Sequence, residues 1–359
     1  MKTFQRRGRL GRRSIGVLPA PRIFGLAPGT VFGFSDDENE EPCRKKRKLS
    51  LLPPPLPSPV PLPSDVPSHV PIHVPLTPFS HLPLTRVVKL GESTFSEIFI
   101  DRETNRVYKI VPLTEDRVYK KITHTKTPLF IKECLIMERM NTISASVEIF
   151  RWWIVSGTYP QRLQRCCKQW AYENTSENIT PQRNNSSGMF GVIEMEHGGC
   201  ELDRVDWSTM GKEEVASILK SLEDFVAGID GQGIEHRDMH ESNVLVKKDQ
   251  KGKYVIKVID YSLSRMPGYG TPAESVTITE STGKALAYHP GAVLYTDLDK
   301  EAPWLFEEEE DEEPHNAVYR AVSAHYTGAD RWRGTGNSNL LWHQYLVSWI
   351  KARTSAFWG

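Results

Sequence analysis

Twelve of the 34 residues from Leu51 to Leu84 are prolines, and this run constrains the fold more than any other feature. Each proline removes a backbone N–H and fixes φ, which excludes helix interiors and central strands there. The spacing predicts an extended, polyproline-like tail through residue 85, with the packed core built from residue 86 onward. The same tail begins with Arg6, Arg7, Arg9, Arg12 and Arg13 and carries an acidic patch at Asp36, Asp37, Glu38, Glu40 and Glu41. The basic run Cys43-Arg44-Lys45-Lys46-Arg47-Lys48-Leu49 follows. It is of the kind read by nuclear import receptors, or else a solvated charge run in a disordered segment. The prolines themselves suit SH3- or WW-type domains.

The 359 residues, 39% of them hydrophobic, suffice for a sizeable core. Lys plus Arg and Asp plus Glu both number 45, giving zero net charge, so no general attraction to nucleic acid or to an anionic membrane is expected. The five cysteines are odd in number and lack a CxxC pair, which argues against a disulfide framework and a structural zinc site. No stretch approaches the roughly 20 apolar residues of a membrane span, and the first residues lack the apolar run of a signal peptide. A soluble, intracellular monomer is the expectation.

From Arg86 the pattern becomes that of a packed domain. The runs RVVKL, SEIFID and RVYKIV predict a three-stranded antiparallel meander. Phe130, Cys134 and Met137, with Ile131 and Leu135 beside them, predict a helix over 128–141. The polar stretch from Gln164 to Gly188 predicts a long surface insertion, and Phe190 to Met195 a buried strand. Val215, Ile218, Leu219, Leu222, Phe225 and Val226 share one face of a helix over Lys212 to Ile229. Leu341, Trp342, Tyr345, Leu346, Trp349 and Ile350 repeat that spacing. The expected fold is α+β and bilobal. A β-rich N-lobe (86–197) and a helical C-lobe (198–359) follow the disordered tail (1–85).

The chemistry concentrates in His236-Arg237-Asp238-Met239-His240-Glu241-Ser242-Asn243, which fits the catalytic-loop pattern H-R-D-x-x-x-x-N. An Asp on a tight loop can accept a hydrogen bond from a substrate hydroxyl. An Asn five positions on can reach a metal ion on the phosphates. Seventeen residues after Asn243, a strand ends in Asp260-Tyr261-Ser262, where a carboxylate is suited to hold magnesium. Lys109 on the third strand and Glu133, 24 residues later on the helix, have the order of a lysine binding the α- and β-phosphates and the glutamate that fixes it. Singly each is unremarkable, since strand lysines and helix glutamates are usually surface charges. Their joint order carries the reading. His236 fits a packed scaffold role better than that of a base.

The strings Ile234-Glu235-His236-Arg237-Asp238-Met239-His240 and Ile259-Asp260-Tyr261-Ser262-Leu263-Ser264-Arg265 resemble those of the haspin protein kinases. Glu194 to Gly199 is similar to the haspin hinge, and Asn337 to Trp342 with Tyr345-Leu346 to its C-terminal helix. The resemblance runs from about Val88 to about Ile350 and leaves out the tail. It implies a bilobal protein-kinase-like fold and a serine/threonine protein kinase that uses ATP and Mg2+ and phosphorylates a threonine near the amino terminus of histone three. Its setting would be mitotic chromatin in the nucleus, with a cytoplasmic pool also compatible.

On that resemblance Asp238 is the catalytic residue, with Lys109 and Glu133 supporting. Gly91, Glu92, Ser93, Thr94, Phe95, Ser96, Ile98, Glu196, His197 and Gly198 surround the nucleotide, and Asn243 and Asp260 hold metal. Glu92, Glu201, Asp203 and Asp299 face the basic substrate, whose amine, Arg and Lys carboxylates would attract. Asp297 and Glu301 share that acidic segment, while the seven acids from Glu307 to Glu313 read as an exposed loop.

Two departures stand out. Serines replace two of three loop glycines, predicting weakened nucleotide binding, and Ala317 stands where the family has an Asp supporting the catalytic loop, predicting a lost support. A catalytically silent scaffold is therefore the alternative, and a small-molecule kinase a weaker one, since it leaves Tyr261 to Arg265 unexplained.

Overall fold

The structure is a computed structural model. It describes residues 70–73, 76–93, 96–114, 118–119, 122–123, 125–174, 188–268, 274–279, 285–288, 293–307 and 313–358, all within one compact unit, Ser64–Gly359. The basic run 43–49, most of the proline tail, and Thr94 and Phe95 lie outside the described residues.

In chain order the first half comprises β1 (Val70–His73), β2 (Leu76–Pro78), β3 (Val88–Ser93), β4 (Ser96–Asp101) and β5 (Arg106–Thr114). The ribbon β6 (Val118–Tyr119) and β7 (Ile122–Thr123) follows, then β8 (Thr125–Lys126), α1 (Thr127–Met140), β9 (Ile149–Ser156), α2 (Gln161–Glu173) and β10 (Met189–Glu196). The second half holds β11 (Cys200–Glu201), α3 (Lys212–Gly231), β12 (Val244–Lys248), β13 (Tyr254–Val258), β14 (Glu274–Thr279) and β15 (Ala285–Tyr288). Helices α4 (Leu298–Glu301), α5 (Asn316–Ser323) and α6 (Ser338–Arg353) complete it.

The main sheet has the order β2-β9-β10-β5-β4-β3, with β8 beside β5. The expected meander β3-β4-β5 is antiparallel throughout. Period-two alternation sorts β5 between two cores: Val107 and Val111 pack with α1, while Tyr108 and Ile110 face the opposite layer. Lys109, between the two valines, is thereby aimed at α1. Helix α1 buries Phe130, Ile131, Cys134, Leu135, Met137 and Met140 against this face.

Two expectations need correction. The packed fold begins before residue 86: β2 pairs in parallel with β9, and Phe79, Leu82 and Leu84 are buried. Prolines 75, 78 and 83 are spaced widely enough for apolar side chains between them to reach the core, and an edge strand tolerates a missing donor. The expected insertion after Gln164 instead opens inside α2. Leu163 and Cys167, one turn apart, close the outer face of the sheet together with Phe79, Val87, Phe99 and Phe190. Two buried positions in a polar helix make a stripe too thin to read from sequence.

In the second half, β11-β12-β13 form an antiparallel ribbon beneath β10. Helix α3 buries Val215, Ile218, Leu222, Phe225 and Ile229, and α6 buries Trp342, Leu346, Trp349 and Ile350. A separate sheet joins β1, β14 and β15. Among the described residues no helix is long and apolar enough to cross a membrane.

Candidate active site

Lys109 lies at the meeting of strand, helix and C-terminal part. Its Nζ donates to Glu133 Oε1 at 2.7 Å and stands 3.2 Å from Asp260 Oδ2. Burial works against the ammonium, but Asp260 and then Glu133 outweigh it and hold its pKa above the usual lysine range. Burial likewise pushes Asp260 up, yet Lys109 and the bonds from Ser262 win and hold its carboxyl at about 2. Asp260 is therefore a fixed anion. It adopts φ +65°, a left-handed conformation rare outside glycine.

The catalytic-loop segment is nearly closed to solvent. Asn243 Nδ2 donates to the Asp238 carbonyl at 2.8 Å and to Asp238 Oδ2 at 3.1 Å. The hydroxyl of Tyr319, from α5, donates to Asp238 Oδ1. Burial, then the nearby charge of Asp260, pushes the Asp238 carboxyl well above its usual range, which suits a group that must take up a proton. With Nδ2 committed to Asp238, Asn243 offers a cation its amide oxygen. That oxygen and the ionised Asp260 are hard-oxygen donors of the kind magnesium prefers, and the Ile259 N–H bonded to the Asn243 carbonyl at 3.0 Å joins their two segments.

His236 is a scaffold. Its Nε2 lies 3.1 Å from the Ile259 carbonyl and its Nδ1 accepts the Asp238 N–H at 3.3 Å. Burial lowers its pKa to about 4. Arg237, at φ +66° and fully buried, donates to the carbonyls of Trp332 and Gly334 and to Glu235 Oε2 at 2.8 to 2.9 Å. Glu235 also accepts from Gly336 N and from the Tyr326 hydroxyl, both at 2.7 Å.

The support expected to be lost at Ala317 comes from elsewhere. Asn339, in the first turn of α6, accepts the His236 N–H at 3.0 Å and donates to the Ile234 carbonyl at 2.7 Å. The loop backbone is thus held from α6 rather than from α5.

A pocket beside this centre is lined by Ser93, Ser96, Lys109, Val111, Leu129, Glu133, Asp260 and Trp304, among others. Both loop serines reach it, with their hydroxyls 2.7 Å apart. Ile98 lies directly across from Lys109 and shares its face. Glu92 does not. It pairs across the strand with Glu97, whose carboxylate meets Cys167 of α2, and it accepts from Lys89 at 2.6 Å. Its side chain belongs to the outer face of the sheet, away from the pocket.

At the hinge, Glu196 is held by Lys257 and by Lys247 Nζ at 2.5 Å, and His197 is half-buried. Gly198 packs so closely that an added Cβ would lie 2.5 Å from Leu245 Cδ1. Gly199 has φ +114°, and an added Cβ would lie 2.2 Å from the Val246 carbonyl oxygen, so only glycine fits. Asp203 lies beside the catalytic loop, 3.5 Å from Ser242 Oγ. Glu201 pairs with Arg204 at 2.8 Å. Asp299 is engaged side-on by Nε and Nη2 of the Arg331 guanidinium, Glu301 by Lys126 and Asp297 by Lys300, so the structure commits these three acids internally.

A family model described as a haspin-like kinase domain matches residues 77–356. The chain belongs to the haspin-like kinase family. It is similar to the serine/threonine-protein kinase haspin homolog of Schizosaccharomyces pombe, 23% identical over 298 residues that cover 75% of this chain and 57% of the relative. It is also similar to the serine/threonine-protein kinase haspin of Mus musculus, 26% identical over 287 residues covering 74% of this chain and 36% of that protein. A haspin homolog of Drosophila melanogaster is 24% identical over 224 residues, covering 53% and 39%. The chain spans between about a third and just over half the length of these relatives.

In this haspin-like domain, sequence reasoning missed Tyr319 and Asn339, each of which touches the site from a distant part of the chain, and Lys132, which neighbours Glu133 and reaches the stretch after Asp260. Asn339 does sit in the Ser-Asn-Leu-Leu-Trp string noted above, a signal without a role until the fold supplied one. A further polar cluster joins His240, Glu241 and His315, with Glu241 bonded to the Tyr345 hydroxyl at 2.8 Å. The two imidazoles stack at 21° with centroids 4.7 Å apart, so their lone pairs run side by side instead of converging on one ion.

Proposed function

We propose that this haspin-like domain transfers the γ-phosphoryl of ATP to a threonine or serine hydroxyl of a basic peptide. The family resemblance points to the amino-terminal tail of histone three in mitotic chromatin as that substrate. The observation that carries the reading is the joint arrangement of Lys109 between Glu133 and Asp260, with Asn243 bonded to Asp238. These are the charges that phosphoryl transfer requires, drawn from four separate segments.

In this reading Asp238 accepts the hydrogen bond of the attacking hydroxyl and aligns it with the phosphorus. Lys109, pinned by Glu133, contacts the α- and β-phosphates. Asp260 and the amide oxygen of Asn243 would hold magnesium, which neutralises charge on the phosphate oxygens. Asp203 beside the catalytic loop, with Glu201 near it, supplies negative charge for a basic substrate. The basic run 43–49 supports nuclear import.

The test is transfer of radiolabelled phosphate from ATP to a histone-three tail peptide, with Asp238→Asn as control. Incorporation into the peptide that this substitution abolishes is the expected result. No incorporation, together with no ATP-dependent thermal shift, overturns the reading in favour of a silent scaffold.

A further inference from the structure

Lys132 precedes Glu133 on α1, and the 100° helical step between them turns the two side chains to different partners. Glu133 holds the strand lysine. Lys132, only 2% exposed, reaches the chain that follows Asp260. Its Nζ donates to the carbonyl of Ser262 at 2.5 Å, to Thr296 Oγ1 at 2.7 Å, and to the carbonyls of Tyr261 and Ser264 at 3.3 Å.

The Thr296 hydroxyl donates its own hydrogen to the Ser262 carbonyl at 2.8 Å, so it presents a lone pair to Lys132. All four neighbours are therefore acceptors, and three N–H groups meet them, an arrangement suited to an ammonium. Burial opposes that charge and lowers the pKa to about 7, with Glu133 acting the other way and Arg237 and Lys109 adding to the lowering. Ser262 lies two residues after Asp260, while Thr296 lies on the returning stretch just before α4. One amine thus ties α1 to both ends of the segment between them.

We propose that Lys132 is a positioning residue that clamps this segment to α1 and thereby sets Asp260 opposite Lys109. The inference rests on the phosphotransferase reading for its effect on rate, while the clamp itself can be tested separately.

The experiment compares the full chain with Lys132→Met, Thr296→Val and the double variant. It measures kcat, KM for ATP and amide hydrogen exchange over Ser262–Met266. Lys132→Met is expected to lower kcat by about tenfold or more, with KM for ATP changed by less than about threefold, and to raise exchange in that stretch. Thr296→Val is expected to lower kcat about threefold, and the double variant to be no worse than Lys132→Met, because both act through one contact.

Wild-type kcat and unchanged exchange in Lys132→Met overturn the clamp, as do fully additive losses. If the parent protein transfers no phosphate, the function proposed above falls and exchange alone decides: faster exchange in Lys132→Met upholds the clamp, unchanged exchange overturns it. If Lys132→Met does not fold, Thr296→Val decides in the same way, since it keeps the charge and removes one anchor.

Discussion

The catalytic loop, whose Asp238 feels the charge of Asp260, and the β3–β4 turn, whose serines line the pocket with Asp260, are built in opposite ways. The loop from Glu235 to Asn243 is held by buried donors and acceptors from α5, α6 and the 332–336 stretch, and it keeps Arg237 at a left-handed φ. The β3–β4 turn has a hydroxyl pair between Ser93 and Ser96, and a Cβ added at Gly91 would meet nothing within 4 Å. Charge that must stay fixed is over-determined, whereas the strand backbone at Gly91 has room for a side chain. Replacing glycines is therefore tolerable on the second side, and losing one polar partner is costly on the first.

That contrast can be broken or sharpened. The largest effect is expected from Asn339→Ala, which strips partners from the His236 N–H and the Ile234 carbonyl. It should cost about 3 kcal/mol in denaturant unfolding and lower kcat with it; a loss below about 1 kcal/mol would show that α6 does not hold the loop.

Next comes acid. His236 is neutral and buried, with its pKa lowered to about 4 by burial from the ordinary 6.5. The unfolded chain thus binds the proton first, and stability falls as pH drops from 6.5 toward 4. Between pH 7 and 4.5 this amounts to about 2 to 3 kcal/mol, read as the excess loss of the parent protein over His236→Asn. Tyr319→Phe is expected to cost about 1 kcal/mol and to lower kcat severalfold. Its hydrogen bond lowers the Asp238 pKa, so its removal raises that pKa and moves the acid limb of the kcat/KM profile to higher pH. Gly91→Ala should change stability by less than about 0.5 kcal/mol. A tenfold rise in KM for ATP in that variant would show that the phosphates come against this backbone.

Much of the frame was legible because its signals are local. Alternation on β5 places Lys109 between Val107 and Val111, and helical spacing on α1 places Glu133 beside Cys134. Asp238, Asn243 and Asp260 sit within strings short enough to recognise. What was not legible depends on distance along the chain. Tyr319 meets Asp238 across 81 residues, Asn339 meets His236 across 103 and Lys132 meets Thr296 across 164. Helix α2 escaped because its exposed face dominates its composition. Glu92 was misplaced because a motif gives position along a strand but not the face, which its pairing with Glu97 decides.

The aromatic ring after Asp260 has a consequence of its own. Tyr261 is fully buried, and its hydroxyl lies 2.8 Å from Ser146 Oγ, a bond that a phenylalanine there could not make. Small molecules that inhibit by expelling this ring and filling the space it vacates would have to break that bond and leave the serine hydroxyl only the Val147 carbonyl at 3.3 Å, an added penalty of about 1 kcal/mol. Compounds that leave the ring in place escape the penalty, so selective ligands for this domain are best sought among those that accept the closed arrangement.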